Sequence, residues 1–536
     1  MVDEAQQWIN NEVLDICTRK GIPRDRVLRM RWVLTWKPSD SGGRKPKARL
    51  VIMGFEDPDA LARKLVTAAP TLSKLGRALV LQIVASMGWH IRCGDVSTAF
   101  LRTEEGEQDR NLFSEGVPQL RSMMQLSTDQ IFKLRKAAYG LTHAPRKWYE
   151  TVKNDMLADG WQVHPHEPGV SRYADGNGTL CGIAAVHVDD FLIAGNGPSF
   201  DQAFERLNAR YGWKEWKTDE FVFTGLSISR LSDGTVQCDQ SDKVFAIEPI
   251  AIGKPRNFQE GLTATSTEHT QYKAVAGSMH YLASHSRPDL AAVSSILQRV
   301  ASQPRVRHLL EANRQLHRAK QRETLPISFT PIPVASLRFT VFSDSSWANR
   351  YDITTQGGDV IIAHDKQMLN GIDAPASLID WTSHKLKRRC RSSLAGELQA
   401  CADGLDRIIF AVTLWSWLIS PSRCDQQSLN NWVGAAVVDH KGLYDLMTGI
   451  TTTLEEKRSQ LEADTVRDTI EQWNLNVRWV AGPYQLADSL TEFPDKANEA
   501  LSDLLRSRSW IIVHDPDFVA RRRLEEKQRH GAPPVE

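Results

Sequence analysis

Residues 180–195 form a mostly apolar run that two adjacent acids, Asp189 and Asp190, interrupt. Two carboxylates inside this run would be costly in hydrocarbon, so we reject it as a membrane span. The apolar residues on either side of the acids instead predict two buried β-strands joined by a tight turn. The chain therefore has to fold around a buried hairpin that carries two acids at its end.

A third acid, Asp95, ends another predicted strand, residues 90–95. Acids from adjacent strand ends can hold Mg²⁺, which prefers carboxylate oxygens. Two acids at a turn are, however, most often simple turn residues. The acids alone therefore leave a metal site and an ordinary turn as alternatives.

The composition is that of an ordinary soluble globular protein, with 41% hydrophobic and 24% charged residues. The 536 residues are too many for one hydrophobic core and predict two to four domains. A net charge of +1 hides a basic block, residues 19–49, with eleven Lys or Arg against two Asp. This block could follow a phosphate backbone or be a solvated surface, and both interpretations stay open.

The seven cysteines are scattered without a C-x-x-C pair, which argues against a disulfide framework or a zinc knuckle. No N-terminal stretch has the layout of a signal peptide. We therefore expect a soluble intracellular protein without a membrane segment.

The C-terminal part predicts a mixed sheet with flanking helices, because three strands in series precede alternating helices and strands. The predicted elements are strands 337–343, 358–363 and 377–383, helix 393–418, strand 433–438, helices 440–448 and 455–473, strand 475–480 and helix 484–492. Four acids fall at the ends of these strands or on these helices: Asp344, Glu397, Asp439 and Asp488. They predict a second carboxylate site.

Other patterns predict a helix over residues 4–19, a hairpin of strands 31–35 and 48–53, and a helix over 72–87. Helices are also predicted over 272–298 and 305–322, followed by a linker that contains Pro326, Pro331 and Pro333. The charged last twenty residues predict disorder.

Short motifs follow one another in a fixed order through residues 47–289. They are residues 47–51 (KARLV), 95–101 (DVSTAFL), 139–141 (YGL), 144–148 (APRKW), 188–190 (VDD), 276–278 (AGS), 281–283 (YLA) and 287–289 (RPD). Each motif is weak, but this order and spacing resemble the reverse transcriptase of copia-type LTR retrotransposon Pol polyproteins, over almost all of residues 28–320.

Further motifs resemble the RNase H domain of the same family. They are residues 343–348 (SDSSWA), 392–400 (SSLAGELQA) and 485–491 (QLADSLT), with 438–440 (VDH) the weakest match because the family usually has Asn after that Asp. The resemblance implies an α+β / α/β multidomain fold, a right-hand polymerase with fingers, palm and thumb followed by a ribonuclease H-like mixed-sheet domain. The implied domains are 1–240 (fingers and palm), 241–335 (thumb and linker), 336–505 (ribonuclease H-like) and 506–536 (charged tail).

The resemblance also implies roles for single residues. Two Mg²⁺ or Mn²⁺ ions per site would be held by Asp95, Asp189 and Asp190 in one site and by Asp344, Glu397, Asp439 and Asp488 in the other. Substrate binding would fall to Arg49, Val96, Phe100, His143 and His187. Arg49 would hold the incoming triphosphate and Phe100 would exclude a ribose 2′-hydroxyl, although a solvated charge and a core ring remain the alternatives.

Two positions depart from the family pattern. His187 stands where Tyr is usual before VDD, and His143 stands where most members have Gln. A neutral imidazole can donate and accept a hydrogen bond, so it can partly replace either group. We therefore expect both residues to tune a polymerase rather than to disable it.

The implied function is RNA-directed DNA synthesis with degradation of the RNA strand of the hybrid. The implied partners are an RNA template, a DNA primer, dNTPs, and the capsid, protease and integrase segments of the same polyprotein, in a cytoplasmic virus-like particle or in the nucleus. A decayed nucleic-acid-binding remnant and an enzyme with RNase H activity alone remain alternatives. The tripeptide Asp40-Ser41-Gly42 matches an aspartic protease motif but lacks apolar flanks, so it is interpreted as a turn.

Overall fold

The computed structural model describes residues 1–38, 43–104, 106, 110–347, 354–449, 453–454, 456–493 and 497–515. The tripeptide Asp40-Ser41-Gly42 and the residues after Asp515 lie outside this part. By contacts the chain divides into two compact units. The first contains Met1–Ser73 and Arg92–Lys217, and the second contains Lys74–Ile91 and the chain from Thr218 onward.

The strands are β1 (Leu14–Thr18), β2 (Val27–Leu28), β3 (Met30–Pro38), β4 (Arg44–Ile52), β5 (Ile91–Asp95), β6 (Phe113–Ser114), β7 (Gln130–Leu134), β8 (Gln162–Val163), β9 (Val170–Ala174), β10 (Leu180–His187), β11 (Asp190–Gly195), β12 (Lys217–Thr218), β13 (Glu220–Phe223), β14 (Leu226–Arg230), β15 (Val236–Asp239), β16 (Ile327–Phe329), β17 (Leu337–Ser346), β18 (Gln356–Asp365), β19 (Ala374–Lys385), β20 (Val433–Val438), β21 (Asn476–Trp479) and β22 (Ser509–Trp510). The α-helices are α1 (Val2–Asn10), α2 (Pro58–Leu61), α3 (Lys74–Met87), α4 (Pro118–Met123), α5 (Ala144–Ala158), α6 (Pro198–Arg210), α7 (Ser241–Phe245), α8 (Ser266–His285), α9 (Ala291–Arg299), α10 (Val306–Gln321), α11 (Ser393–Ile419), α12 (Gln426–Asn430), α13 (Lys441–Met447), α14 (Lys457–Trp473) and α15 (Ala500–Ser507).

The first unit contains a six-stranded sheet in the order β12-β5-β11-β10-β9-β8, which brings β5 beside the β10–β11 hairpin. The inner strands are buried because their side chains are apolar on both faces, as the run 180–195 predicts. Helices α5 and α6 pack on this sheet through Trp148, Val152, Phe200 and Leu207. A separate two-stranded ribbon, β3–β4, pairs Met30 with Ile52 at its base.

A two-residue turn, Val188-Asp189, joins β10 to β11, and His187 pairs with Asp190 across it. Val188 has a φ of 62°, in the left-handed region that favours glycine and is unfavourable for a β-branched side chain. Two hydrogen bonds hold this strained turn. The indole Nε1 of Trp148 donates to the Val188 carbonyl at 2.7 Å, and the Val96 amide donates to the Asp189 carbonyl at 2.9 Å.

The second unit begins with α3, which packs against β15, β16 and β19. Lys74, the first residue of α3, forms an ion pair with Asp380 on β19 at 2.6 Å and donates to the Trp381 carbonyl at 2.7 Å. Arg407 on α11 bridges the same Asp380 and Asp359 on β18. This buried network links α3 to the C-terminal sheet of the same unit.

The C-terminal sheet has the order β21-β20-β17-β18-β19-β22, with β17 parallel to β20 and antiparallel to β18. Helix α11 lies on β17 and β18 and is capped by Ser392, whose hydroxyl accepts from the Ala395 amide at 3.2 Å. The predicted mixed sheet with flanking helices is confirmed, and strand 433–438 begins and ends at the predicted residues.

Several predicted elements differ from the structure. The helix predicted over 4–19 ends at Asn10 and is followed by β1, because Val13 and Leu14 turn into the core. The helix predicted over 272–298 is interrupted by a 3-10 turn, Pro288–Leu290, because proline cannot continue the hydrogen-bonded ladder. The helix predicted over 484–492 is replaced by two 3-10 turns, Gly482–Tyr484 and Asp488–Leu490.

Two predicted irregular segments contain ordered elements. Where the Pro-containing linker was predicted, Ile327–Phe329 forms buried strand β16, which pairs with β15. Where the tail was predicted to begin at 506, the chain completes α15 at Ser507 and forms β22 at Ser509–Trp510, which pairs with β19. None of the helices in the described ranges combines the length and apolar character needed to cross a bilayer.

We predict that Trp148→Phe weakens the β10–β11 hairpin, because the Val188 carbonyl loses its indole donor. The free energy of local opening should fall by about 1–3 kcal/mol, the range for a buried polar group left without its partner. Native-state hydrogen exchange of the β10 and β11 amides measures this quantity.

Trp161→Phe is the matched control. Trp161 and Trp148 are each 1% exposed and each contact a tyrosine ring, but the indole nitrogen of Trp161 has no hydrogen-bond partner among the described residues. Equal effects of the two substitutions on exchange would contradict a special role of the Trp148 hydrogen bond.

Candidate active sites

The first group of acids lies at the junction of β5 with the β10–β11 hairpin. Asp95 is the last residue of β5, Asp189 lies in the turn and Asp190 begins β11. Burial raises the pKa of Asp190 to about 6, and the charges of Asp189 and Asp95 add to this effect. The three carboxylates are therefore close enough to interact electrostatically.

Basic side chains lie beside these three acids. The ammonium group of Lys214 forms an ion pair with the Asp95 carboxylate. On the β3–β4 ribbon, Arg49 pairs with Val33 and Lys47 with Thr35, so Arg49 and Lys47 lie on one face. The pKa of Lys47 is lowered first by burial and then by the charges of Lys37, Arg49 and Lys214. These four cations are therefore close enough to repel one another beside the acids.

The remaining predicted substrate residues have different surroundings. Val96 is 1% exposed, so its side chain belongs to the core, and its amide supports the turn at Asp189. Phe100 is half-buried, packs with Tyr139 at a centroid distance of 5.4 Å and touches the cores on both sides. Its substrate role stays a prediction.

The two histidines also differ. His187 is half-buried at the end of β10, opposite Asp190. His143 is 3% exposed and contacts the Arg110 guanidinium, with a distance of 3.1 Å from its Nε2 to Nη1. Arg110 is in turn bound at 2.5 Å by the fully buried Asp57. His143 is thus part of a buried polar network, and its predicted role in substrate binding is untested.

The second group of acids lies where parallel strands β17 and β20 meet helix α11. Asp344 is on β17, Asp439 follows β20 and Glu397 lies one turn into α11. One carboxylate oxygen of each lies within 4.8 Å of the others. In the described part of the chain this is the one set of three or more metal-ligating side chains that converges so closely.

Burial and mutual repulsion perturb all three acids. Burial, with the Asp439 charge, raises the pKa of Asp344 to about 8. Burial, followed by the Asp344 and Asp439 charges, raises the pKa of Glu397 well above its usual value. The pKa of Asp439 rises to about 6, mainly through burial. Such a group is unfavourable when fully ionised, and a divalent cation would relieve it.

Asp488, the fourth predicted acid, is outside this close set. It begins a 3-10 turn, and its carboxylate accepts from the Asn498 amide at 2.6 Å. Its charge nevertheless contributes to the raised pKa values of Asp344 and Asp439. The structure therefore brings carboxylate oxygens of three predicted acids within 4.8 Å of one another and leaves the fourth acid close enough to act electrostatically.

Polar neighbours that the sequence analysis assigned no role hold the acids in place. Thr491 donates its hydroxyl to Asp344, and Ser345 donates its hydroxyl to Glu397 at 3.0 Å. Gln485 donates to the Ser343 carbonyl at 3.0 Å and also hydrogen-bonds Asp439. Gln485 and Thr491 are the two ends of the motif QLADSLT, which was a signal that could have identified them.

His440, where the family usually has Asn, caps a helix. Its Nδ1 accepts from the Leu443 amide at 3.2 Å, at the start of α13. A neutral imidazole can provide this acceptor as an Asn side chain would. The departure from the motif is therefore compatible with the local fold around Asp439.

Comparison with known proteins agrees with the ordered motifs. Residues 17–243 match the family described as "Reverse transcriptase (RNA-dependent DNA polymerase)". The retrovirus-related Pol polyprotein of transposon RE1 from Arabidopsis thaliana is 26% identical over 482 residues, which are 87% of this chain and 31% of that protein. The RE2 polyprotein of the same plant is 26% identical over 509 residues, 92% of this chain and 32% of that protein. The chain thus spans about a third of the length of these relatives.

A transposon Ty5-1 protein of Saccharomyces cerevisiae is 27% identical over 312 residues, 55% of this chain and 92% of that protein. Among solved structures, a foamy viral protease-reverse transcriptase in complex with double-stranded DNA is 12% identical, with a TM-score of 0.48 over 89% of this chain and 69% of that chain. The sequence matches confirm the resemblance that the motifs indicate: the chain is similar to the Pol polyproteins of copia-type LTR retrotransposons.

Proposed function

We propose that this chain copies RNA into DNA in its first unit and cleaves the RNA strand of the resulting hybrid in its second. The observation that carries the proposal is the convergence of Asp344, Glu397 and Asp439 within 4.8 Å, in a chain whose residues 17–243 match a reverse transcriptase family. The two acid groups belong to different compact units, as two independent reactions require.

Both reactions use divalent metal ions. Mg²⁺ or Mn²⁺, two per site, would stabilise charge on the attacking and leaving oxygens and, in the second unit, help to ionise the attacking water. Asp344, Glu397 and Asp439 fit this role because they offer hard oxygen ligands and are destabilised without a cation. Asp488 assists them through its charge.

In the first unit, Asp95, Asp189 and Asp190 hold the metal ions and the ribbon supplies the nucleotide-binding cations. Arg49 and Lys47 lie on one face of β4, and a guanidinium can bind phosphate oxygens bidentately. Phe100 discriminates against a 2′-hydroxyl from its half-buried position. His187, opposite Asp190, and His143 adjust this site without binding metal.

The substrates are therefore an RNA template, a DNA primer or RNA–DNA hybrid, and dNTPs. The related polyproteins are about three times as long, so further segments of the same polyprotein (capsid, protease and integrase) are the proposed partners. The proposed site of action is the cell interior, in a cytoplasmic virus-like particle or in the nucleus.

RNase H activity alone is the second candidate, and a specific difference favours it. The acids of the second unit converge closely, whereas Asp95, Asp189 and Asp190 form no such set among the described residues, and Asp95 is paired with Lys214. Primer extension on poly(rA)·oligo(dT), run beside cleavage of an RNA–DNA hybrid, separates the two candidates. Hybrid cleavage without extension would select the second.

We predict that Asp189→Asn lowers the rate of primer extension about 100-fold or more, because it removes a metal ligand that offsets transition-state charge. Steady-state extension with Mg²⁺ and with Mn²⁺ measures the loss. Asp201→Asn, at an exposed position on α6, is the control and should extend normally. Near wild-type extension by Asp189→Asn would reject the assignment.

Asp344→Asn and Glu397→Gln should abolish hybrid cleavage and leave primer extension within about twofold, because their acids belong to the other compact unit. Gel assays of cleavage and of extension on the same preparation check this. Loss of both activities in a variant with an unchanged circular dichroism spectrum would count against two independent centres.

The stability of the metal-free protein should fall as the pH rises from about 5 to 8. In the folded protein the pKa of Asp344 is raised to about 8, whereas an unfolded Asp has a pKa of about 3.9. Between these two pH values the folded state therefore binds more protons than the unfolded state. The thermal unfolding midpoint in EDTA should therefore decrease over this range, and Mg²⁺ should restore it at pH 8.

Asp344→Asn should flatten this pH dependence, since an amide has no proton to lose. Asp233→Asn is the control, because the pKa of that exposed acid is lowered by backbone hydrogen bonding. A midpoint in EDTA that stays constant or rises towards pH 8 would mean that the acid group is not destabilising.

A further inference from the structure

Backbone hydrogen bonds attach the segment 212–216 to the strand that carries Asp95. The Ser97 amide donates to the Gly212 carbonyl at 2.9 Å, and the Lys214 amide donates to the Asp95 carbonyl at 3.2 Å. Between them, Val96 and Trp213 form an antiparallel bridge. The backbone of Lys214 therefore has a fixed position beside Asp95.

Aromatic side chains reinforce this attachment. Trp213 packs against Phe191 and Trp216, at centroid distances of 5.1 and 4.4 Å. The indole of Trp216 also donates to the Asn208 side chain on α6 at 2.9 Å. Because Phe191 directly follows Asp190, the same cluster fixes Lys214 and the acidic hairpin together.

The side chain of Lys214 has more freedom than its backbone. It is 56% exposed, Asp95 is 36% exposed, and the two form an ion pair. The ammonium charge also lowers the pKa of Asp190, against the larger opposite effects of burial, Asp189 and Asp95. Lys214 is thus a resident counter-cation for the whole acid group.

We propose that Lys214 competes with the divalent cation for Asp95 and turns to the phosphates of the incoming nucleotide once the metal ion has displaced it. The inference rests on the proposed polymerase function for its second step only. It makes Lys214 a nucleotide-binding residue that couples metal binding to nucleotide binding.

Two features support this exchange. A lysine has a flexible four-carbon stem, so its ammonium group can move while its backbone stays bonded to β5. Burial first, and then the charges of Lys37, Arg49 and Lys214, lower the pKa of Lys47, so these cations lie near one another. When divalent ions neutralise the acids, this group of cations is drawn to the triphosphate, which carries the opposite charge.

Mn²⁺ binding to the full chain, without nucleotide or nucleic acid, tests the first step. Electron paramagnetic resonance of free Mn²⁺ gives the affinity, and the binding that Asp95→Asn removes defines the polymerase site. Lys214→Gln should bind Mn²⁺ there about three- to fivefold more tightly, the effect of one partly exposed ion pair. Lys217→Gln, three residues further on in exposed β12, makes the same charge change and should bind like wild type.

Primer extension tests the second step. Lys214→Gln should raise the KM for dNTP more than it lowers kcat, and Lys214→Arg should restore the KM because it keeps the charge. Unchanged Mn²⁺ affinity in Lys214→Gln, or an equal change in Lys217→Gln, overturns the competition even if the enzyme extends primers. Tighter Mn²⁺ binding without any primer extension supports the competition and rejects the polymerase function, and no Asp95-dependent Mn²⁺ binding in any variant rejects both.

Discussion

Carboxylates that lie close together repel one another, and the structure around both acid groups depends on how that repulsion is offset. In the second unit, Asp344 and Asp439 from neighbouring strands and Glu397 from α11 converge within 4.8 Å. Hydroxyl donors bind Asp344 and Glu397, but Glu397 Oε2 has no hydrogen-bond partner among the described residues, and burial raises the pKa values of all three acids. Ionisation of all three acids is therefore unfavourable, and a bound metal ion would offset their repulsion.

The first unit offsets the same repulsion differently. Its acids lie on β5 and on a strained turn, and the lysine ammonium of Lys214 already pairs with Asp95. The strain at Val188 is tolerated because a tryptophan indole and a strand amide both bind the turn. Under the proposed function the two sites would use the same metal chemistry but begin from different metal-free states.

Local patterns predicted those parts of the fold in which one face or one run is apolar. The hairpin around Asp189, the strand before Asp439 and the long helix that carries Glu397 all follow from such patterns. The interruption at Pro288 had a local signal as well, and the long prediction over 272–298 gave it too little weight. Other differences had no local signal. Helix α3 packs with the C-terminal sheet through Lys74 and Asp380, which are far apart in the sequence.

The residues of the candidate sites also differ in whether a local sequence pattern could identify them. Motifs identified the candidate acids because each acid stands among characteristic neighbours in the sequence. They could not identify Lys214, whose proposed role depends on backbone hydrogen bonds to β5 and on the packing of Trp213. Nor could they place Asp488 on a short turn, since its position depends on the amide of Asn498. Contacts between distant segments decide these roles.

The central claim is that both acid groups are metal sites, and anomalous diffraction from crystals grown with Mn²⁺ tests it most directly. The account predicts Mn²⁺ among Asp344, Glu397 and Asp439 and at Asp95 with Asp189, with paired ions about 3.5–4 Å apart when nucleic acid is bound. Clear density for the intact carboxylates, without anomalous signal at either group, would contradict it.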